Sequence, residues 1–190
     1  FKESKKPVIV SMGNVAASGG YYISAPADYI YANPGTITGS IGVIIQHVEY
    51  KDLLAKLGIK TTAIKTGKYK DTLSPFRDLT EEEKEYLKKT IENTYEQFLS
   101  AILKYRAKKI DEEKLRSIAD GRIMTGLMAK EVGLVDELGN LDDAIDKARE
   151  LSGAKDARVF YVEEKKGFIK KLLEGEINYY PAMVYYLMKF

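Results

Sequence analysis

Apolar positions along the chain follow two rhythms, and their alternation sets out the predicted elements. The run from Pro7 to Met12 (PVIVSM) is continuous and β-branched, which predicts a buried strand. Gly13 and Asn14 break it. Ala, Tyr and Ile then recur at near-helical spacing, predicting a short helix that begins around Ser18, with two glycines at its start. A short strand is expected over Tyr29 to Ala32, a turn at Asn33-Pro34-Gly35, and a strand over Gly39 to Ile45. Lys51 to Leu57 reads as a helix closed by Gly58, and the β-branched stretch from Lys60 to Thr66 as a further strand. The segment GKYKDTLSPFRD has no periodicity and is expected to be a loop, the kind of element on which function tends to sit. Thr80 and Glu83 form a capping box that opens the longest helix, whose apolar stripe runs through Leu87, Ile91, Tyr95, Phe98, Leu99, Ile102 and Leu103. Shorter helices are predicted after Asp111, over Thr125 to Val132 with Gly133 closing it, and from Asn140 to Gly153. Arg158 to Val162 is a late strand candidate. Strands followed by helices favour an α/β domain with a layer of parallel strands.

The composition narrows the chemistry. The 190 residues are 45% hydrophobic and 31% charged, a balance suited to one folded, soluble domain with a real core. The formal charge of +2 gives no field that favours nucleic acid, and the lysines alternate with glutamates as on solvated helix faces. Cysteine is absent, which excludes disulfides and thiol chemistry; the one histidine, His47, excludes sites that need several imidazoles. No apolar run has the length of a bilayer span and no signal peptide is visible. The chain opens at FKESKK, directly before a strand and without Met, so an upstream portion is expected to lie outside this sequence. Residues 1–153 carry the regular succession of strands and helices. Residues 154–190 read as an extension ending in the nearly uncharged, aromatic tail Ile177 to Phe190, expected to pack on its own domain or on a neighbouring subunit.

Ser18 is the foremost candidate for chemistry. A serine between Ala-Ala and Gly-Gly, after a strand and at a helix start, has an uncrowded hydroxyl, and the N–H of Gly19 can point into the same space, where an oxyanion would form. The same pattern also suits a plain N-cap serine. A nucleophilic hydroxyl needs a base, which here is either His47 or a lysine. A lysine becomes a base only when burial penalises its charged form; lowering its pKa from about 10.4 to about 8 costs roughly 3 kcal/mol. It also needs a hydrogen-bonding partner that is not a carboxylate. Lys65, Lys68 and Lys70 compete for that role on local sequence alone.

The segment SMGNVAASGGYYISAPADYIYANPGTITGSIGVI resembles the nucleophile region of the signal peptide peptidase A family. IKTGKYKDTLSPFRDLTEEE, DGRIMTGLMAKEVGLVDELG and LDDAI extend the resemblance over roughly residues 6 to 150. It implies that Ser18 is the nucleophile, that Lys70 of the T-G-x-x-K-D motif is the general base, that the Ser40 hydroxyl orients the Lys70 amine, and that Gly19 supplies an oxyanion N–H. Asp71, next to the base, is then expected to turn away and pair with backbone or a basic residue. The family's second oxyanion donor lies upstream of the nucleophile strand, and no segment here matches it. The resemblance further implies that residues 1–153 are the C-terminal part of a Ser/Lys protease catalytic domain, with an α/β fold of stacked ββα units like that of Clp protease and crotonase, and a homo-oligomeric ring. Its implied substrates are signal peptides and other hydrophobic membrane-derived peptides. An upstream single-pass membrane anchor would hold the protease outside the cytoplasm. No cofactor or metal is implied. Two alternatives carry other functions: a crotonase-like acyl-CoA enzyme, which needs no serine nucleophile, and a non-catalytic scaffold subunit of the same fold.

Overall fold

A computed structural model describes residues 5–162, which separate into two compact units: residues up to 42 together with those from 98 onward, and residues 43–97. The aromatic tail, 177–190, lies outside the described residues.

In the first unit, β1 (Ile9–Met12) and β2 (Tyr29–Ala32) pair in parallel, with Ile9 opposite Tyr29 and Met12 opposite Ala32. The short helix α1 (Gly19–Ser24) lies between them in sequence. Val8 N–H donates to the Asp28 carboxylate at 2.8 Å and Asp28 N–H to Val8 O at 2.9 Å, which fixes the register at the strand starts. A second pair, β3 (Ile37–Gly39) and β4 (Ile123–Thr125), is antiparallel. β5 (Glu137–Leu138) joins the first sheet in parallel beside β2, giving the order β1-β2-β5. The long helix α3 (Glu81–Arg106) ends in this unit and buries Phe98, Leu99 and Ile102. α4 (Glu112–Ile118) buries Leu115 and starts at Asp111, whose carboxylate accepts from Lys114 N–H at 2.7 Å. α5 (Gly126–Glu131) is capped by Thr125. Gly133, at φ 86, closes α5 where a side chain would stand 2.3 Å from Lys109 O, so only glycine fits. α6 (Leu141–Ser152) carries the expected capping box of Asn140 and Asp143 and ends at Gly153 with φ 69. Met12, Tyr21, Ile30, Leu99, Ile102, Leu115 and Leu134 form the core, and each such side chain is worth about 1.5–3 kcal/mol when fully buried.

The core also holds a charged pair. Asp136 and Arg106 are almost wholly buried, with Arg106 Nη1 2.7 Å from Asp136 Oδ2. The same oxygen accepts from Ile30 N–H at 2.8 Å, Lys109 Nζ lies 3.3 Å from Oδ1, and Arg106 Nη2 donates to Gly133 O at 3.2 Å. Burial alone pushes the Asp136 carboxyl up. The Arg106 hydrogen bond and charge, the Ile30 N–H and Lys109 outweigh it and leave the carboxyl below its ordinary range. Tyr21 of α1 donates to Leu134 O at 2.9 Å, and burial pushes its phenol well up.

In the second unit, α2 (Lys51–Lys56) ends as expected, with Gly58 at φ 72. The first part of α3 begins at the predicted capping box: Glu83 N–H donates to Thr80 Oγ1 at 3.2 Å and Thr80 N–H to Glu83 Oε2 at 3.0 Å. Its exposed face carries the pairs Lys84–Glu81, Lys89–Glu85 and Lys88–Glu92, as the alternation of lysine and glutamate predicts.

Three predicted strands differ. The one expected over 39–45 begins earlier, at Ile37, and stops at Gly39, because Gly39 (φ 70) and Ser40 (φ 51) both leave the extended region. Residues 60–66 form no strand: they are exposed throughout, and no strand among the described residues pairs with them, so their β-branched content has no surface to pack on. Residues 158–162 form no strand either.

Replacing Arg106 by Met leaves the buried Asp136 carboxylate short of its main partner. It is expected to lower stability by about 3 kcal/mol, read as the shift in a urea unfolding curve. Adding Asp136→Asn to that variant is expected to recover most of the loss.

Candidate functional site

The serine arm lies in the first unit. After β1 the chain runs beside β3 as a second, shorter ladder. Ile37 N–H donates to Asn14 O at 2.9 Å, Ala16 N–H to Ile37 O at 2.8 Å, and Ser18 N–H to Gly39 O at 2.8 Å. Two buried threonines of the TITGS stretch reinforce it from the side: Thr36 Oγ1 donates to Gly13 O at 2.7 Å and Thr38 Oγ1 to Ala16 O at 2.8 Å. At the end of this ladder Ser18 takes φ 52 and ψ −116. A serine in that region costs on the order of 1–3 kcal/mol, and it persists only where the surroundings over-determine it, as these bonds do. The chain then enters α1 at once, with Gly20 N–H on Ala17 O and Tyr22 N–H on Ser18 O, both at 2.9 Å.

The plain N-cap arrangement, open on sequence alone, is not what forms. The Ser18 side chain makes no capping hydrogen bond, so its hydroxyl is available for chemistry. Gly19 N–H makes no hydrogen bond among the described residues, Gly19 is exposed, and the space where its side chain would stand is open. Ser18's own N–H is held by Gly39, which leaves Gly19 as the free donor next to the hydroxyl.

Ser40 follows directly on the peptide that accepts from Ser18, so the ladder brings the two serines together at the backbone. Ser40 N–H donates to Arg122 O at 2.8 Å and Gly121 N–H to Ile41 O at 3.0 Å, which pins residues 39–41 to the β4 side. The Ser40 side chain is half-buried and makes no hydrogen bond among the described residues.

The lysine arm lies in the second unit and has its own order. Residues 67–74 form consecutive turns, with Lys70 N–H on Gly67 O at 3.1 Å and Ser74 N–H on Asp71 O at 2.9 Å. The three candidate lysines differ in their partners. Lys65 Nζ pairs with Asp71 Oδ1 at 2.5 Å and reaches Lys68 O at 3.2 Å. Lys68 pairs with Glu82, which holds its ammonium above the ordinary lysine range. Lys70 has no ion-pair partner among the described residues and is exposed in this chain. Asp71 pairs with basic residues, as expected: Arg77 Nη2 lies 2.8 Å from its Oδ1 and Arg77 Nε 3.0 Å from its Oδ2. Arg77 also holds Glu83 of α3, at 2.5 and 2.9 Å. These hydrogen bonds keep the Asp71 and Glu83 carboxyls well below the usual carboxylate range: Arg77 then Lys65 act on Asp71, and Arg77 then Thr80 N–H on Glu83.

His47, the other base considered, is half-buried. Its Nε2 has no hydrogen-bond partner and no carboxylate orients its ring among the described residues. No group of acidic residues and histidine suited to hold a metal ion occurs among those residues. No helix among them is long and apolar enough to cross a membrane.

Thr38 and Arg77 were not singled out from the sequence. The signal for Thr38 was present in T-I-T-G-S, where two threonines two apart share one strand face. Arg77 carried no such signal, because its partner Glu83 is on the next helix.

Comparison with known proteins places the chain in a family. The family model described as Peptidase family S49 matches residues 1–155. "Putative protease MJ0651" of Methanocaldococcus jannaschii is 47% identical over 86% of this chain and 52% of its own length. "Putative protease slr0021" of Synechocystis sp. is 42% identical over 90% of this chain and 62% of its own. "Putative signal peptide peptidase SppA" of Enterococcus faecium is 40% identical over 93% and 51%. The chain thus spans about half the length of these curated relatives. Among solved structures, a "Putative enoyl-CoA hydratase/isomerase family protein" from Hyphomonas neptunium covers 82% of this chain and 41% of its own, with 22% identity and a TM-score of 0.42.

The Asp71–Arg77–Glu83 cluster sets a pH dependence. Carboxyls with depressed folded-state values stabilise the loop in full above the ordinary carboxylate pKa of about 4 and lose that contribution as pH falls through the folded values. Backbone amide resonances of residues 67–78 are therefore expected to hold constant from about pH 7 to 5. They should move only at pH values well below about 4; a titration midpoint near 4 would show that the carboxyls are free.

Proposed function

The chain belongs to peptidase family S49, and from that membership we propose that it carries the Ser18 nucleophile and Lys70 base of a serine endopeptidase working through an acyl-enzyme. The observation that carries this reading is Ser18 itself. It is held at φ 52 by the bond to Gly39, its hydroxyl caps nothing, and an unbonded Gly19 N–H stands beside it. Local strain maintained around an available nucleophile is the pattern of a reactive site rather than of a cap.

In the proposed reaction, neutral Lys70 takes the Ser18 hydroxyl proton as Oγ attacks a peptide carbonyl. The Gly19 N–H donates to the oxyanion. The Lys70 ammonium then returns a proton to the leaving amine, and the same amine activates the water that clears the ester. The Ser40 hydroxyl orients the lysine without stabilising its charge as a carboxylate would. Lys70 alone of the three candidate lysines has no carboxylate partner, which suits a base. Lys70 is exposed among the described residues, so this reading requires that it be covered in the full-length, assembled protein.

Membership also supports a finer architecture of stacked ββα units, as in Clp protease and crotonase, and assembly into a homo-oligomeric ring. The substrates we assign are signal peptides and other hydrophobic membrane-derived peptides. The protease domain would be held outside the cytoplasm by an upstream single-pass anchor. The acyl-CoA and scaffold alternatives share the fold but need no nucleophilic serine.

A fluorophosphonate probe on the full-length protein separates them. Labelling at Ser18 is expected, with complete loss in Ser18→Ala. Lys70→Ala is expected to lower kcat/KM on a hydrophobic peptide by about 10²–10⁴-fold. A wild-type protein that never labels, or a Lys70→Ala variant at full rate, would end the proposal.

A further inference from the structure

The base candidate sits beside an acid, and the structure contains a specific answer to that problem. Lys70 and Asp71 are consecutive residues in a tight series of turns. A free carboxylate that comes within about 4–6 Å of an amine favours the ammonium and moves a lysine pKa up by about 1 to 3. A dyad base works only as the neutral amine, so an unpaired Asp71 would oppose the chemistry.

Both Asp71 oxygens are occupied. The guanidinium of Arg77 meets them in fork geometry, at 2.8 Å to Oδ1 and 3.0 Å to Oδ2, and Arg77 Nη2 also reaches Asp71 O at 3.2 Å. Lys65 adds an ion pair at Oδ1. The far side of Arg77 is taken by Glu83, which is buried and further held by the Thr72 hydroxyl at 2.9 Å and by Thr80. Arg77 is thereby anchored to the first turn of α3, and the Asp71 side chain with it. Two acidic and two basic side chains make the cluster neutral as a whole. The other charges around the loop are also paired: Lys68 with Glu82 of α3, and Lys51 of α2 with Asp78, which also bonds Glu49. Tyr69 donates to Glu82 at 2.5 Å.

We propose that Arg77 is a positioning residue that holds the Asp71 carboxylate away from the adjacent Lys70 ammonium, and so sets the pH at which Lys70 becomes a base. The inference rests on the reading of Lys70 as that base. Arg77 touches neither substrate nor the Ser18 hydroxyl in this scheme; it acts through Asp71. An arginine suits the task because its charge persists at any pH at which a lysine can lose a proton, and its fork matches both carboxylate oxygens.

The test is the pH dependence of Ser18 acylation by a fluorophosphonate in the full-length protein, which reads base deprotonation directly. Arg77→Met removes the fork from Asp71 and leaves its carboxylate to Lys65 alone, and the midpoint of the rate profile is expected to move up by about one pH unit, with the high-pH plateau largely kept. Adding Asp71→Asn removes the released charge and should return the midpoint to that of the wild type, and Arg77→Lys, which keeps the charge, should hold it near the wild-type position. If Arg77→Met does not fold, as judged by thermal melting, Arg77→Gln takes its place with the same expected shift. A rate lowered equally at every pH, with no movement of the midpoint, would give Arg77 a merely structural role and overturn the proposal. Failure of the underlying reading has a different signature: Lys70→Ala would label at the wild-type rate with the wild-type midpoint.

Discussion

The hydrogen bond from Ser18 N–H to Gly39 O is the constraint on which the serine arm depends. It ends a ladder that begins at Asn14, and it forces the chain to turn into α1 through a left-handed serine rather than through a relaxed cap. It also divides the donors at the turn. The serine's own N–H is committed to the scaffold, so the N–H left without a partner among the described residues is that of Gly19. Because the acceptor is the carbonyl directly before Ser40, the same bond couples Ser18 to a residue whose backbone is tied in turn to Arg122 beside β4. Rigid neighbours hold a reactive group to within tenths of an ångström better than a flexible loop does, and here each neighbour is a strand or a strand end.

The lysine arm is organised by charge rather than by backbone pairing. Its loop has little apolar content and no strand; its order comes from turns and from a guanidinium shared between two carboxylates. This arrangement sorts the lysines. Lys65 and Lys68 are paired with acids, whereas Lys70 has no carboxylate partner among the described residues. A charge-paired surface is usually a weak stabiliser. Here it is selective, since it pairs two of three similar side chains and leaves the third without a carboxylate among the described residues.

What was legible in the sequence follows the range of the forces involved. The capping boxes at Thr80–Glu83 and Asn140–Asp143, and the glycine stops at Gly58, Gly133 and Gly153, act within a few residues, and all form as read. β1 and β2 carried a strong apolar signal. β4 and β5, three and two residues long, did not, because they are defined by their partners across the sheet rather than by their own composition. The same reasoning explains residues 60–66, whose β-branched side chains suit a strand that has nothing to pair with among the described residues. At the site, Ser18 and Lys70 stood in recognisable motifs. The positive φ that turns β3 off at Gly39 and Ser40 was not readable, because a serine with φ 51 is imposed by the pairing with Arg122 rather than preferred by the residue.

The two arms therefore meet different physical requirements. A serine hydroxyl needs position above all, and backbone hydrogen bonds supply position cheaply because every residue carries a donor and an acceptor. An amine base needs to be relieved both of neighbouring carboxylates and of water. The chain itself does the first, by committing Asp71 to Arg77 and Lys65. The second is a matter of what covers residue 70, and no arrangement of charge within a solvated loop can substitute for it, because water stabilises an ammonium whether or not a carboxylate is near. Neutralising the acid is thus a precondition for the chemistry and not its cause. It ensures that when the amine is covered the proton has no carboxylate to hold it, so that dehydration acts on the lysine alone.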